Sequence, residues 1–216
     1  MKKTPTAPRL GAALIIVVIV VLDSALPDRY RLAPPGFVYF VAALMIVPMI
    51  VAAIAKGSPV WRRVERMLMF GAVGLALTIN TANLVDVVDE LLFHSRDVRP
   101  MSLFLTSIAI WLGNMLIFTL IYWLIDRGGP DARATGSTPY PDFDFPAMSD
   151  PSKVPPGWQP GIIDYLFIGF TTTTAFGPTE AMPLTARAKA LSIAQSMISL
   201  VPSSWLRHAP SEFSNR

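Results

Sequence analysis

An all-α, multi-pass transmembrane helical bundle is the fold class this sequence predicts. Three observations predict it: composition, four long charge-free runs, and a lopsided distribution of Lys and Arg. Of the 216 residues 52% are hydrophobic and 15% charged, against roughly 25% charged in an ordinary soluble domain. Mean hydropathy is +0.48. A water-soluble globule of this size lacks the charge to cover its surface. With no cysteine, disulfide scaffolds and zinc-thiolate sites are excluded. Eighteen Lys and Arg against fifteen Asp and Glu are too even for a nucleic-acid footprint, so no nucleic-acid partner is expected. The expected partner is the lipid bilayer.

Crossing a hydrocarbon core of roughly 30 Å takes about 20 apolar residues. The first run, Leu10–Leu22, has 13 uncharged residues, and Ser24-Ala25-Leu26 extends the helix to about 17. Lys2, Lys3 and Arg9 before it resemble the basic start of a signal peptide, but Asp23-Ser24-Ala25-Leu26-Pro27 lacks a small-x-small cleavage pattern. The run is therefore read as an uncleaved anchor. Ala33–Ala55 gives 23 residues, the run between Arg66 and Asp86 gives 19, and that between Arg99 and Asp126 gives 26. These are four clear spans within a region 1–125.

Residues 126–161 form a Pro- and Asp-rich connecting loop whose prolines exclude regular helix and central strand. Phe143, Phe145 and Trp158 predict a strap lying on the helix ends, because large aromatics seek a surface. Residues 162–201 predict a short helix or re-entrant hairpin followed by a last helix. That last helix is expected to be incomplete: its continuous apolar part, Ala190–Val201, is 12 residues, about 18 Å at 1.5 Å per residue. Pro202 removes a donor and clashes with the carbonyl of Ile198. Residues 202–216 read as a polar tail.

Lys and Arg set orientation. Ten (Lys2, Lys3, Arg9, Lys56, Arg62, Arg63, Arg66, Arg127, Arg133, Lys153) fall on one side and four (Arg29, Arg31, Arg96, Arg99) on the other. The expectation is a bacterial inner-membrane protein with its N-terminus and loop 126–161 cytoplasmic.

The enzyme signatures fail. There is no H-E-x-x-H, P-loop or G-x-S-x-G, and the two histidines, His94 and His208, lie outside the spans. No catalytic, metal or cofactor site is predicted. Polar residues inside the spans form two groups. Asn80, Asn83 and Asp86 recur at i, i+3, i+6 on one helix face, and Asn114 sits near the middle of the fourth span. Amides in hydrocarbon bond to neighbouring helices and hold a bundle together; a polar pathway is the competing reading. The second group is Phe170-Thr171-Thr172-Thr173-Thr174-Ala175-Phe176-Gly177-Pro178-Thr179-Glu180. Its threonines are expected to bond back to carbonyls one turn earlier. Gly177-Pro178 is expected to stop the helix, and Glu180 to sit near the membrane surface.

The order and spacing of Asp164-Tyr165-Leu166-Phe167, Phe170, Thr172, Thr174, Gly177, Glu180 and Pro183-Leu184-Thr185 resemble the pore region of the potassium-channel superfamily. There a pore helix ends in T-V-G-Y-G, whose carbonyls replace the ion's water shell. Here Ala175-Phe176-Gly177-Pro178-Thr179 stands in that place. Pro178 fixes its own φ and Thr179 disfavours positive φ, so potassium selectivity is not carried over. The chain from the fourth span onward also resembles a family of uncharacterised bacterial integral membrane proteins. Tyr122-Trp123, Asp126-Arg127-Gly128-Gly129-Pro130, Pro141-Asp142-Phe143, Phe145-Pro146, Trp158-Gln159-Pro160-Gly161, Asp164-Tyr165-Leu166, Thr174-Ala175-Phe176 and Pro178-Thr179-Glu180 carry that likeness. It implies architecture and no activity, and the chain departs from the family pattern at Pro202. Two expectations follow. One is a membrane protein whose hairpin is a packing or interaction element. The other is an oligomeric, ion-channel-like pore protein, a homo-oligomer passing a monovalent ion. The charge count puts the hairpin on the cytoplasmic side, opposite to the potassium-channel arrangement.

Overall fold

The computed structural model describes residues 7–34, 36–54, 59–93, 100–135, 140–150, 152, 154, 155, 158–174 and 181–213. The chain is mostly helical, in keeping with an all-α fold. The long helices are α1 (Ala7–Ser24), α2 (Phe37–Ile54), α3 (Pro59–Phe93) and α4 (Pro100–Ile125). After them come α5 (Pro130–Thr135), the two-residue strand β1 (Phe143–Asp144), the short α6 (Pro146–Ser149), α7 (Ile162–Thr173), the strand β2 (Met182–Pro183) and α8 (Ala186–Phe213). Contrary to expectation, the stretch 126–161 does hold short helices, α5 and α6, each opened by a proline at its first position, where no donor is lost.

Charge-free runs locate apolar cores of helices, not their ends. The run between Arg66 and Asp86 lies inside a helix of 35 residues, α3, because Arg, Glu and Asp at its ends continue the helix into a polar zone. The second run loses its beginning instead: Gly36 takes φ +96°, and α2 begins only at Phe37. Among the described residues, two helical stretches are long and apolar enough to cross a membrane, Val60–Glu90 and Met101–Gly128. Phe37–Val51 and Ile162–Thr173 are shorter apolar helices.

α4 is the centre of the molecule. It packs against α1, α3, α7 and α8, and 72% of its apolar window is buried against 28% for that of α3. Its sequence is apolar on all sides, as a helix packed all round requires. Phe118, Leu120, Tyr122 and Trp123 are almost wholly enclosed there. α3 by contrast exposes Met67, Phe70 and Val85.

Charged pairs gather at two ends of the bundle. At one, Arg9 at the start of α1 bonds Glu65 of α3 through Nε (3.0 Å) and Nη2 (3.0 Å), and Asp131 of α5 (2.8 Å). At the other, Arg29 pairs with Glu90, and the backbone N–H of Leu32 donates to Asn83 Oδ1 (3.1 Å). The segments that the charge count groups on one side thus meet in space.

The last helix differs from expectation. It does not stop at Pro202: α8 continues through the polar stretch to Phe213. Proline's φ near −65° suits a helix, and the helix runs on through position 202.

α7 lies close against α4 through Gly169. A Cβ there would stand 2.6 Å from Thr119 Oγ1 and 3.1 Å from the Met115 carbonyl. Gly169→Ala is expected to destabilise the protein by about 1–3 kcal/mol, the usual range for overpacking. Thr119→Ala should recover part of that loss by removing the nearest atom, a coupling read from thermal unfolding in detergent of the two single variants and the double. Strictly additive losses would contradict this contact.

Candidate functional site: the hairpin and its anchoring strap

The candidate site is the hairpin of α7 and α8 with the strap, residues 126–161, that ties it to α4. It starts at a turn. Asp126, Arg127 and Gly128 form one 3-10 turn after α4, and Arg127, Gly128 and Gly129 take φ of 51°, 77° and 95°. Three successive left-handed residues are affordable where two are glycine. Pro130 then opens α5 with its φ already set. The turn brings Gly129 N–H (2.8 Å) and Arg133 Nη1 (2.7 Å) to the carbonyl of Asp126.

The Asp126 side chain is fully buried. Its Oδ1 accepts the backbone N–H of Asp142 at 2.9 Å, and its Oδ2 accepts the Tyr165 hydroxyl at 2.7 Å. One carboxylate therefore joins the end of α4, the strap and α7. Arg133 lies over the rings of Trp123 (5.9 Å) and Tyr165 (5.2 Å), and burial pushes its pKa down.

A second carboxylate repeats the device toward α8. Asp142, also fully buried, accepts Arg187 Nε and Nη2, each at 2.6 Å, and the Thr185 hydroxyl at 2.6 Å. Its carbonyl accepts Leu184 N–H at 2.8 Å, and β1 pairs antiparallel with β2, Phe143 opposite Pro183 and Asp144 opposite Met182. Burial opposes ionisation of Asp142, but the Arg187 guanidinium and the Thr185 hydroxyl outweigh it and hold the carboxyl below its ordinary 3.8. The same contact raises Arg187. Phe143 and Phe145 are buried and Trp158 half-buried. Phe143 meets Tyr122 edge-on at 5.1 Å; Phe145 meets Tyr165 at 5.7 Å and Trp158 at 6.0 Å. The strap docks as its aromatics predict.

Within the bundle a polar seam joins α4, α7 and α8. Gln195 is fully buried; it accepts the Tyr122 hydroxyl and donates to the Gly169 carbonyl (2.8 Å) and Thr173 Oγ1 (2.6 Å). Farther along α8, Asn114 Nδ2 donates to Ser199 Oγ at 2.7 Å.

Asp164, Thr171, Thr174, Asn80, Asn83 and Asn114 each have a partner among the described residues. Asp164 accepts Gly161 N–H at 2.6 Å and so caps the first turn of α7. Thr171 bonds back to Phe167 (3.0 Å) and Thr174 to Phe170 (2.9 Å), as expected. The Thr172 carbonyl accepts the Ser196 hydroxyl of α8 at 3.5 Å. Asn80 donates to the Ile110 carbonyl at 3.3 Å, and Asn83 and Asn114 hold α3 and α4 to other elements as above. Phe176, Gly177, Pro178, Thr179 and Glu180 lie outside the described residues. α7 itself ends at Thr173.

Asp126, Asp142, Tyr165, Arg187 and Gln195 are the residues that reading by enzyme motif passes over. The signal was present in Asp126-Arg127-Gly128-Gly129-Pro130 and Pro141-Asp142-Phe143, acids set among turn-formers and aromatics. The chain matches no family model, no curated protein and no solved structure. Among the described residues no group of His, Cys, Asp and Glu could hold a metal. A cavity between α1, α2, α3 and α4 measures about 50 Å³, room for a water or two and not for an organic ligand.

The Asp142 contact makes stability depend on pH with a definite sign. A carboxyl whose folded pKa is depressed adds stability that is whole above its unfolded value, near 3.8, and is lost as pH falls through the folded value. Wild-type thermal stability should therefore fall more steeply below pH 4 than that of Asp142→Asn, which starts lower at neutral pH. Parallel acid limbs in a melting series would contradict the assignment.

Proposed function

We propose that this chain is a non-enzymatic, multi-pass integral membrane protein of the bacterial cytoplasmic membrane, with four spans α1–α4, and that residues 162–201 serve as a packing and interaction element. The observation that carries the reading is that the hydroxyls of Thr171, Thr173 and Thr174 find their partners inside this chain. The hydroxyls of Thr171 and Thr174 bond to their own helix, and Thr173 is engaged by Gln195. A hydroxyl that lines a water-filled path faces that path; these face carbonyls and an amide. Hydroxyl and amide contacts of this kind hold membrane helices together at about 0.6–2 kcal/mol each.

Topology supports a hairpin that enters and leaves on one side. α7 is 12 residues, about 18 Å long, little more than half a bilayer core. Its first turn is fastened to Asp126 through Tyr165, and by Met182 the chain is again beside Asp144 of the strap. α4 and α8 both pack against α7, so protein flanks it on two sides. The charge asymmetry supports a cytoplasmic position for the strap, and with it for the starts of α7 and α8.

The ion-channel-like reading is the alternative outcome of one experiment. Purified protein in liposomes is expected to give no monovalent-cation flux above empty vesicles. Thr172→Ala and Thr174→Ala should lower thermal stability by about 0.5–1.5 kcal/mol each without creating flux. Flux in the wild type that either substitution alters would replace the packing reading with the pore reading.

A further inference from the structure

The end of the bundle that carries the Arg9 cluster also holds a groove of about 360 Å³ between the start of α3 and the turn after α4. Arg62, Arg63 and Arg66 line it, with Glu65, Asp131 and Leu124. Its two acids already answer to another cation: Arg9 spans Glu65 at 3.0 Å and Asp131 at 2.8 Å. The three lining arginines have no ion pair among the described residues. The stretches outside the described residues nearest to it in sequence, 1–6, 55–58 and 136–139, contain no Asp or Glu to neutralise them. Three arginines thus line one concave surface without an ion pair of their own among the described residues.

What lies beside the groove narrows the ligand. Arg66 sits over the Phe70 ring at 5.6 Å, and Met67 and Phe70 are exposed apolar side chains on the same helix, running away from the arginines toward its middle. A cationic pocket continuous with an apolar strip suits a molecule with an anionic head and a hydrocarbon tail. The guanidinium fork matches phosphate oxygens two at a time. We propose that this groove is a binding site for the phosphate headgroup of an anionic phospholipid, with an acyl chain along Met67 and Phe70. The proposal rests on the reading that the bundle spans a bilayer.

The test uses the full chain in a zwitterionic detergent. Phosphatidylglycerol, phosphatidylcholine and inorganic phosphate are titrated separately while thermal unfolding and native mass spectra are recorded. Phosphatidylglycerol should raise the melting temperature and remain bound in the spectrum; phosphatidylcholine and inorganic phosphate should do neither at equal concentration. Arg62→Gln/Arg63→Gln/Arg66→Gln should weaken the phosphatidylglycerol effect at least about tenfold, since each arginine near the surface adds to the attraction for an anionic leaflet. Lys189→Gln, an exposed cation on α8, should leave it unchanged. Should the triple variant fail to fold, Arg63→Gln alone, at an exposed position, should still weaken binding measurably. Equal effects of the two lipids, equal stabilisation by inorganic phosphate, or an unchanged response in the folded arginine variants would each overturn the proposal. Failure of the membrane reading itself would appear separately, as protein recovered from the soluble fraction of cells.

Discussion

A carboxylate taken out of water must be surrounded by donors or its burial destabilises the fold by several kcal/mol. Asp126 is such a carboxylate, placed where the most enclosed helix of the molecule ends. Its two oxygens are answered by a backbone N–H from the strap and a phenol from α7. Neither donor is near it in sequence: Asp142 is 16 residues away and Tyr165 39. The requirement to satisfy one side chain therefore dictates that strap and α7 return to the end of α4. Asp142, held against Asp126 by its own amide, passes the constraint to α8 through Arg187 and Thr185.

The pair with Arg187 is asymmetric, and the asymmetry matters. Arg187 is 53% exposed while Asp142 is fully buried. Removing the arginine strands a buried charge; removing the aspartate leaves a cation that water can solvate. The strap is consequently more than a tether. Its aromatics cover Tyr122 and Tyr165, and those two residues are the ones whose hydroxyls bond Gln195 and Asp126. Apolar cover keeps water from competing for these bonds, which strengthens them in the low-dielectric interior. The hairpin is fastened by charge at its entrance and by an amide at its depth.

Much of this architecture is legible in the sequence, because apolar helix centres and aromatic docking are properties of local composition. Charge-free runs mark the apolar centres of α1 to α4, and Phe143, Phe145 and Trp158 announce a docked strap. Asp164 and the threonines bond within one helical turn, so their spacing alone foretells their partners. Helix ends are less legible, since Arg62 to Arg66 and Asp86 to Glu90 are charged yet helical in α3. The stop expected at Pro202 rests on a local penalty that continuation of α8 absorbs. Long-range pairs are hidden altogether: nothing about Gln195 in a run of Ala, Ser and Ile says that it faces Tyr122, 73 residues earlier.

The proposal requires the starts of α7 and α8 to lie on the strap's side of the membrane, opposite the turn after α1. Single-cysteine labelling tests it most directly, since the chain has no native cysteine. Tyr140 in the strap, Met182 in β2 and Leu32 after α1 are all well exposed, at 91%, 62% and 61%. A membrane-impermeant reagent applied to intact spheroplasts should label Leu32→Cys quickly, and should reach Tyr140→Cys and Met182→Cys only after permeabilisation. Labelling of Met182→Cys together with Leu32→Cys, while Tyr140→Cys stays protected, would mean that α7 crosses the membrane and would contradict the account.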